Sequence, residues 1–245
     1  LWVDASQGIF PVVAARFKEV FELSYFQIGA MALILNLTSS VIQPIFGYYA
    51  DKIRVGWFVP VGILWTALCM GILGWSPNYP VAVVLVGLSG LGTAAFHPRA
   101  MMAVSLVSGT RRGLGAAMFS TGGNLGFAIG PTVGGLLVLG LSLHATLGLL
   151  IPGIVLFLII LLYPGDFLKR EMAKEKSGSK SDDSARSSIP WFSLINVSSI
   201  TALRSWVYIS FITYLPLFFQ SRGITLESGS LMLTGFLVGG AAAGL

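Results

Sequence analysis

The sequence predicts an all-α membrane protein that crosses the lipid bilayer several times, and three observations lead to this fold class. Hydrophobic residues make up 55% of the chain and charged residues 10%, with a mean hydropathy of +0.83. Such values lie outside the range of ordinary soluble domains. Apolar runs that reach the length of a membrane span, about 20 residues, recur along the chain. The basic residues lie in the breaks between these runs, which argues against nucleic-acid binding despite the net charge of +5.

The apolar runs define the predicted domain organisation. Seven runs and most of an eighth have the length of a membrane span, at 1–16, 25–49, 58–75, 80–107, 114–140, 143–163, 192–219 and 228–245. A polar, Ser-rich stretch of mixed charge separates the sixth run from the seventh, and we interpret it as a flexible linker. We therefore predict a six-helix bundle over residues 1–163, a linker over 164–191, and the start of a second bundle over 192–245. Because the chain opens and closes inside apolar runs, we expect it to be a fragment of a longer protein, with a truncated first helix.

The Lys and Arg residues in the breaks predict the orientation of the chain. Ten of them lie on one side of the predicted membrane, including those of the linker, and three lie on the other, Arg16, Lys18 and Arg222. Because cytoplasmic loops carry the excess of positive charge, we expect a multi-pass protein of the cell (inner) membrane with a cytoplasmic linker. The single cysteine, Cys69, falls inside an apolar run, so the sequence offers neither a disulfide framework nor a thiolate metal site.

The fifth predicted helix carries a stripe of glycines. Gly122, Gly126, Gly130 and Gly134 recur every four residues and so share one face of a helix, with Pro131 beside them. In water each interior Gly costs about 1 kcal/mol and Pro about 3 kcal/mol, but in a bilayer small residues allow helices to approach closely. The stripe therefore predicts a helix-packing surface, and we expect it to be the sliding contact between the two bundles.

Four ionisable residues fall inside the predicted hydrocarbon region, where charge is costly and usually functional. Asp4, in the first helix, is either a proton carrier or a structural ion pair. His97, in the fourth, is either a coupling group or a hydrogen-bond donor at the helix break expected at Pro98. We expect Arg99 to extend to the cytoplasmic interface as an anchor. Arg204, in the seventh helix, either holds an anionic substrate or pairs with Asp4.

These positions, on the first, fourth and seventh helices, predict a water-filled cavity lined by those helices. Near the inner end of the second helix, Gln43 stands beside Pro44, and it serves either to line the cavity or to bond a neighbouring helix. Asp51 closes the same helix. Its carboxylate suits contact with a helix N-terminus, which would hold one conformational state.

These residues make the chain resemble the major facilitator superfamily of transporters. The pattern Gly126-x-x-x-Gly130-Pro131-x-x-Gly134-Gly135 matches the antiporter motif of that superfamily's fifth helix at every fixed position. The resemblance implies two six-helix bundles that rock about a central site, and it implies further helices beyond residue 245.

A second motif of the superfamily, in the loop between its second and third helices, is matched in part. The stretch GYYADK, which contains Gly47 and Asp51, matches the start of that motif, but Arg54 stands where a Gly is expected. The resemblance therefore implies a gating role for Asp51 that this departure weakens.

Within the superfamily, the chain resembles the fosmidomycin-resistance family of bacterial drug exporters. The resemblance rests on Gln43-Pro44, Gly47-Tyr48, Phe96-His97-Pro98, Gly122-Gly123-Asn124 and Arg204-Ser205, and on Asp4 at the place of that family's first-helix Asp. Two departures stand out. Val86 lies near the place of the fourth-helix Arg of other drug antiporters, and Arg99 stands where the closer family commonly has Glu.

The resemblance implies a proton-coupled antiporter that exports small drugs or metabolites, such as fosmidomycin-like compounds, by alternating access. Asp4 and His97 would then couple to protons, and Arg204, Gln43 and Asn124 would contact the substrate. We expect a monomer in the lipid bilayer, with protons and a small molecule as partners and with no cofactor or metal. The residues implied in conformational gating are Asp51, Gly47, Gly126, Gly130, Pro131, Gly134 and Gly135.

Two other functions are compatible with the sequence. One is a proton symporter or facilitator that imports a small organic anion. The other is a rhomboid-like intramembrane serine protease, since Gly87-Leu88-Ser89-Gly90 resembles the GxSG motif and His144 lies two helices later. Rhomboid proteases lack the antiporter motif and the central linker, so we do not expect an enzyme. The chain also contains neither a HExxH nor a GxxxxGK[ST] pattern, which removes support for a metalloprotease or an ATP-driven pump.

Overall fold

The computed structural model describes residues 1–53, 57–163 and 191–243, which form helices joined by short turns, with no β-strand among them. The predicted all-α class is confirmed. In chain order the α-helices are α1 (Trp2–Gly8), α2 (Phe10–Val20), α3 (Tyr25–Asn36), α4 (Gln43–Ile53), α5 (Phe58–Leu73), α6 (Tyr79–Val107), α7 (Arg112–Gly140), α8 (Leu150–Leu162), α9 (Trp191–Ser221) and α10 (Leu226–Ala243). A π-helical turn, Leu37–Val41, joins α3 to α4, and 3-10 turns, Gly109–Arg111 and Leu143–Leu149, precede α7 and α8.

Four helical segments of the described chain are long and apolar enough to cross a membrane, judged by length and composition. They are Tyr25–Tyr48, Tyr79–Val107, Leu143–Leu162 and Ser198–Ser221. The other predicted spans are also helical but differ in detail: the first is divided at Ile9, α5 has 16 residues, and α7 has 29 residues rich in glycine. Of the predicted linker, 164–191, only Trp191 lies within the described residues, so the division into two bundles stays a prediction.

The first span lies at the centre of the described structure. Its two helices meet at Ile9, because Pro11 in the first turn of α2 has no N–H to continue the α1 hydrogen-bond pattern. The residues around this break are almost fully buried, with Val12, Ala14 and Ala15 at 0% exposure. Both α1 and α2 pack against α7, and α2 also packs against α9 and α10. The central position of α1 puts its one acidic residue inside the protein.

The glycine stripe of α7 packs against the first span rather than against the second half of the chain, which corrects our expectation for it. A Cβ atom at Gly126 would lie 2.1 Å from the carbonyl oxygen of Leu1, and one at Gly130 would lie 2.5 Å from the carbonyl carbon of Gly8. A Cβ at Gly134 would lie 2.9 Å from the Ile9 side chain. These contacts allow α1 and α7 to touch backbone to backbone. Gly122, in contrast, has no neighbouring atom within 4 Å of its ideal Cβ position.

A different face of α7 contacts the second half of the chain. Gly135 faces α10, where its Cβ would lie 2.5 Å from the Ser230 hydroxyl oxygen. The Thr132 hydroxyl lies 2.8 Å from the Thr234 hydroxyl across the same boundary. Helix α7 is therefore packed between α1 on one face and α10 on another.

Within the described ranges, three prolines lie in the interior of continuous helices. Pro98 in α6, Pro131 in α7 and Pro216 in α9 remove one backbone donor each, yet each helix runs through its proline. The helix break expected at Pro98 is wrong. Helices with interior proline are tolerated in membranes because neighbouring helices compensate for the lost hydrogen bond.

Candidate functional site

The two ionisable residues predicted in the first and fourth spans contact each other. The Asp4 carboxylate on α1 and the His97 imidazole on α6 lie 3.2 Å apart, between Oδ1 and Nε2. Their side chains are 17% and 22% exposed, so the contact lies inside the protein without being sealed from its surface. A carboxylate and an imidazole in contact attract each other when the imidazole is protonated.

Glycines on α7 leave the space that the Asp4 side chain occupies. A Cβ atom at Gly123 would already lie 3.5 Å from the Asp4 Oδ2 atom, and the next turn of α7 touches α1 at Gly126. Larger side chains along this face would push α1 away from α7. The small residues of α7 therefore decide where the carboxylate lies relative to α6.

A second polar contact joins the same two helices. The Gln7 side-chain amide donates to the Thr93 hydroxyl oxygen at 2.9 Å, and Thr93 is 2% exposed. Gln7 lies one turn after Asp4 and Thr93 one turn before His97, so the contacts Asp4–His97 and Gln7–Thr93 form two successive rungs, which we call the α1–α6 polar ladder. Sequence reasoning missed Gln7 and Thr93. The signal for them is their spacing of three and four residues from Asp4 and His97, which places each on the same helix face.

His97 also lines a cavity of about 550 Å³. The cavity is lined by Ser40, Gln43, Pro44, Gly47, His97, Pro98, Met101 and Phe119. Its volume falls within the range of small-molecule sites, about 300–1,000 Å³. Ser40 belongs to the π-helical turn before Pro44, a type of local irregularity that is frequent at functional sites. Of the predicted site residues, Gln43, Gly47 and His97 therefore meet at one cavity.

Two aromatic rings lie beside the imidazole, and one of them, Phe119, also lines the cavity. The ring centroids of His97 and Phe119 lie 6.0 Å apart with the rings at 87°. Phe96 lies 5.3 Å from His97 by the same measure. The cavity lining thus combines polar side chains, Ser40, Gln43 and His97, with apolar ones that include Phe119. Such a lining fits a small molecule that has both a polar group and an apolar body.

Other predicted site residues are not brought to this cavity. Asn124 is exposed on α7, and Arg204 is exposed on α9. Among the described residues, the side chain that pairs with Asp4 is His97 and not Arg204. Asp51 belongs to α4 by its backbone, but its side chain lies outside the described residues.

Arg99 is buried, which makes the expectation of an interfacial anchor wrong. Its side chain is 2% exposed, and Nη1 lies 3.5 Å from the Met102 sulfur. Because α6 continues through Pro98, Arg99 lies in a helix that packs against α4, α5 and α7. The neighbouring helices enclose its guanidinium before it reaches an interface.

The residues of the protease alternative do not form a catalytic pair. Ser89 is fully buried, and its hydroxyl donates to the Val86 carbonyl within its own helix at 2.7 Å. The Ser89 carbonyl meets Thr66 of α5, whereas the His144 ring packs against Trp75 just beyond the end of α5. Thr66 and Trp75 differ by nine positions, about 13 Å of helix rise. Ser89 and His144 therefore lie at different depths of the structure.

The helices, the ionisable contact in their interior and the cavity beside it define a multi-pass helical membrane protein. Comparison with known proteins agrees with this class, because residues 3–245 match the sequence profile of the Major Facilitator Superfamily. The chain belongs to this superfamily of transporters. Members of this superfamily are classed as membrane transporters.

Two curated proteins are similar to part of this chain. An MFS-type transporter of Bacillus subtilis (strain 168), YfnC, described as uncharacterized, is 35% identical over 141 residues, which cover 57% of this chain and 34% of that protein. The fosmidomycin resistance protein of Escherichia coli (strain K12) is 30% identical over 135 residues, which cover 55% of this chain and 33% of that protein. The matched segments thus span about one third of the length of these relatives.

Proposed function

We propose that the chain is part of a proton-coupled antiporter that exports small drugs or metabolites by alternating access across the inner membrane. The observation that carries this proposal is the position of His97, which contacts the Asp4 carboxylate and also lines the 550 Å³ cavity. A proton that binds to this pair changes the charge at the cavity wall. A substrate in the cavity and a proton on the pair therefore affect each other's binding, as coupled transport requires.

The contacts between the two halves support alternating access. On the side of the structure away from the cavity, the Tyr214 hydroxyl donates to the Tyr25 carbonyl at 3.0 Å. On the same side, Gln220 of α9 donates to the Glu19 carboxylate, which also accepts from Arg16. With the orientation predicted from the basic loops, these contacts close the outer side, while the cavity lies toward the cytoplasm. A closed outer side with a cavity on the inner side describes one of the two states that such a transporter needs.

The cavity and the named relative suggest the class of substrate. One relative is named for resistance to fosmidomycin, and we extend to this chain a small polar substrate of similar kind. Gln43 and His97 would bind its polar group, and Phe119 would pack against its apolar part. Arg204 and Asn124 keep a predicted role in substrate contact that depends on other conformations or on the rest of the protein. We further propose a monomer with a cytoplasmic linker.

Gating is proposed for the residues where the helices come closest. Gly126, Gly130 and Gly134 allow α7 to touch the first span, and Gly135 allows it to touch α10. Motion of α7 or α10 relative to α1 would move Asp4 relative to the membrane faces. Pro131, Gly47 and Asp51 keep their predicted roles in the same transition.

The transport direction tests this proposal. The complete protein, reconstituted in liposomes, should move a labelled fosmidomycin-like compound against its gradient when protons flow the opposite way. A proton uncoupler should abolish this movement. Movement of substrate in the same direction as protons would favour the alternative, a proton symporter that imports a small organic anion. Transport that ignores the pH gradient would contradict proton coupling altogether.

Phe119 provides a test of the cavity as the substrate site. We expect Phe119→Ala to raise the KM for substrate about tenfold, which corresponds to about 1.4 kcal/mol, because the substrate loses an aromatic contact. The matched control is Met118→Ala, since Met118 is the neighbouring residue on α7 and is 68% exposed. Initial rates measured over a range of substrate concentrations give the two KM values. An equal KM for both variants would place the substrate elsewhere.

A further inference from the structure

We propose that Gln7 and Thr93 are positioning residues that hold the Asp4 carboxylate against the His97 imidazole. This inference rests on the proposed proton coupling and assigns a task to a contact that the coupling itself does not use. It concerns the second rung of the α1–α6 polar ladder, the hydrogen bond of 2.9 Å from the Gln7 amide to the Thr93 hydroxyl. Neither residue lines the cavity.

The way α1 packs calls for a contact that sets its position relative to α6. Helix α1 ends where the chain turns into α2 at Ile9, so Asp4 and Gln7 lie in the two turns before this break. At Gly126 and Gly130 of α7 the first span is met by backbone atoms, which allow close approach but supply no directional bond between side chains there. The Gln7–Thr93 hydrogen bond supplies that direction toward α6, where His97 lies.

The two rungs are neighbours by geometry. Asp4 and Gln7 are three residues apart, which corresponds to about 4.5 Å of rise along α1. Thr93 and His97 are four residues apart on α6, so both pairs share the same facing surfaces. Fixing Gln7 against Thr93 therefore limits how far Asp4 moves along or around α6.

The chemistry of the second rung makes it independent of proton binding. Gln7 and Thr93 are both neutral, so their hydrogen bond has the same strength whether or not the first rung carries charge. The Thr93 hydroxyl also lies 3.4 Å from the Ser89 carbonyl, which can accept its proton while the oxygen accepts from Gln7. When a proton binds to Asp4 and neutralises its carboxylate, the charge attraction to His97 is lost, and the second rung keeps the two groups within reach of each other.

The groups that act on Asp4 within the described residues are few. His97 faces it from α6. Helix α7 faces it with Gly123 and has its one charged residue, Arg112, at its distant start. Helix α5, which also packs on α1, has the Cys69 thiol as its one titratable group. A change in the Asp4–His97 contact is therefore expected to dominate any change in the pH dependence of transport.

The test compares Thr93→Val with Thr93→Ser in the complete protein. Valine keeps the shape of threonine and removes the hydroxyl, whereas serine keeps the hydroxyl. We expect Thr93→Val to move the pH of half-maximal transport upward by about one unit. The reason is that His97 is no longer held against Asp4, so the ionised form of Asp4 is stabilised less. The KM for substrate, measured at a pH well away from either midpoint, should stay at the wild-type value, and Thr93→Ser should restore the wild-type pH profile. Gln7→Met removes the donor from the other side of the bond and should reproduce the shift seen for Thr93→Val.

The outcomes separate this inference from the proposed function. If transport by the wild-type protein did not depend on the pH gradient, the proposed function would be wrong. A pH-dependent wild type whose profile is unchanged in both Thr93→Val and Gln7→Met would overturn the positioning role while leaving the function in place. A uniform loss of rate at every pH, with the midpoint unchanged, would also overturn it, because that is the result expected of a purely structural contact. Should Thr93→Val fail to reach the membrane, Gln7→Met provides the same comparison.

Discussion

Replacing Asp4 by asparagine is expected to reduce pH-driven transport to background. Asparagine has nearly the shape of aspartate and still offers an oxygen to His97 at the position of the 3.2 Å contact. It cannot gain or lose a proton, so the exchange of a proton for substrate cannot be completed. Exchange of labelled for unlabelled substrate needs no net proton movement, so we expect Asp4→Asn to retain it.

The measurement uses liposomes that contain the complete protein, first with an imposed pH gradient and then with equal pH and unlabelled substrate inside. The matched control is Glu227→Gln, an exposed acid in the first turn of α10, which should behave as the wild type in both assays. If Asp4→Asn retained full pH-driven efflux, Asp4 would not be the proton carrier. Loss of both activities together, with the protein correctly inserted, would also contradict the role, because it would indicate a defect in substrate movement itself.

Adding one methyl group to the glycine seam of α7 is the second change with a large expected effect. In Gly130→Ala, the new Cβ would lie 2.5 Å from the Gly8 carbonyl carbon and 2.7 Å from the Ala5 carbonyl oxygen. Both are backbone atoms, which cannot rotate away as a side chain can, so α1 must move. Overpacking of this kind costs about 1–3 kcal/mol. Because α1 carries Asp4, we expect a lower thermal stability and a loss of most pH-driven transport.

Gly122→Ala is the control for this change, because it adds the same methyl group to the same helix. Its Cβ position has no neighbouring atom within 4 Å, so its stability and transport should match the wild type. Thermal unfolding of the purified protein and transport in liposomes provide the two measurements. Equal behaviour of the two alanine variants would show that contact between α1 and α7 does not limit function.

Several features of the site were predictable from local sequence. An acid and a histidine inside apolar runs stand out without any structure, because charge in hydrocarbon requires a reason. Gln43 and Gly47 were predicted from an amide beside a proline and from a motif, and both line the cavity together with His97. The fold class followed from apolar runs, since each run is a local property of about 20 neighbouring residues.

The choice of partners was not predictable in the same way. The sequence offered Arg204 as one possible partner of Asp4, without deciding whether Asp4 forms an ion pair or carries a proton. In the structure the side chain beside Asp4 is that of His97. The burial of Arg99 was missed because the sequence does not show which way a helix is rotated about its axis. That rotation decides whether a long side chain extends to the membrane interface or packs against a neighbouring helix. The prediction that the glycine stripe slides between the bundles was wrong, because a stripe indicates close packing without naming the helix that packs there.

The sequence by itself determined that this protein is a helical membrane protein with glycine-rich packing and a few ionisable groups in its interior. Composition, spacing and periodicity fix these properties, because each depends on residues close together in the chain. Only the tertiary structure decided that Asp4 contacts His97, that Gln7 contacts Thr93, and that α7 packs on the first span. These contacts join residues far apart in the chain, and their geometry depends on how every helix between them turns and packs.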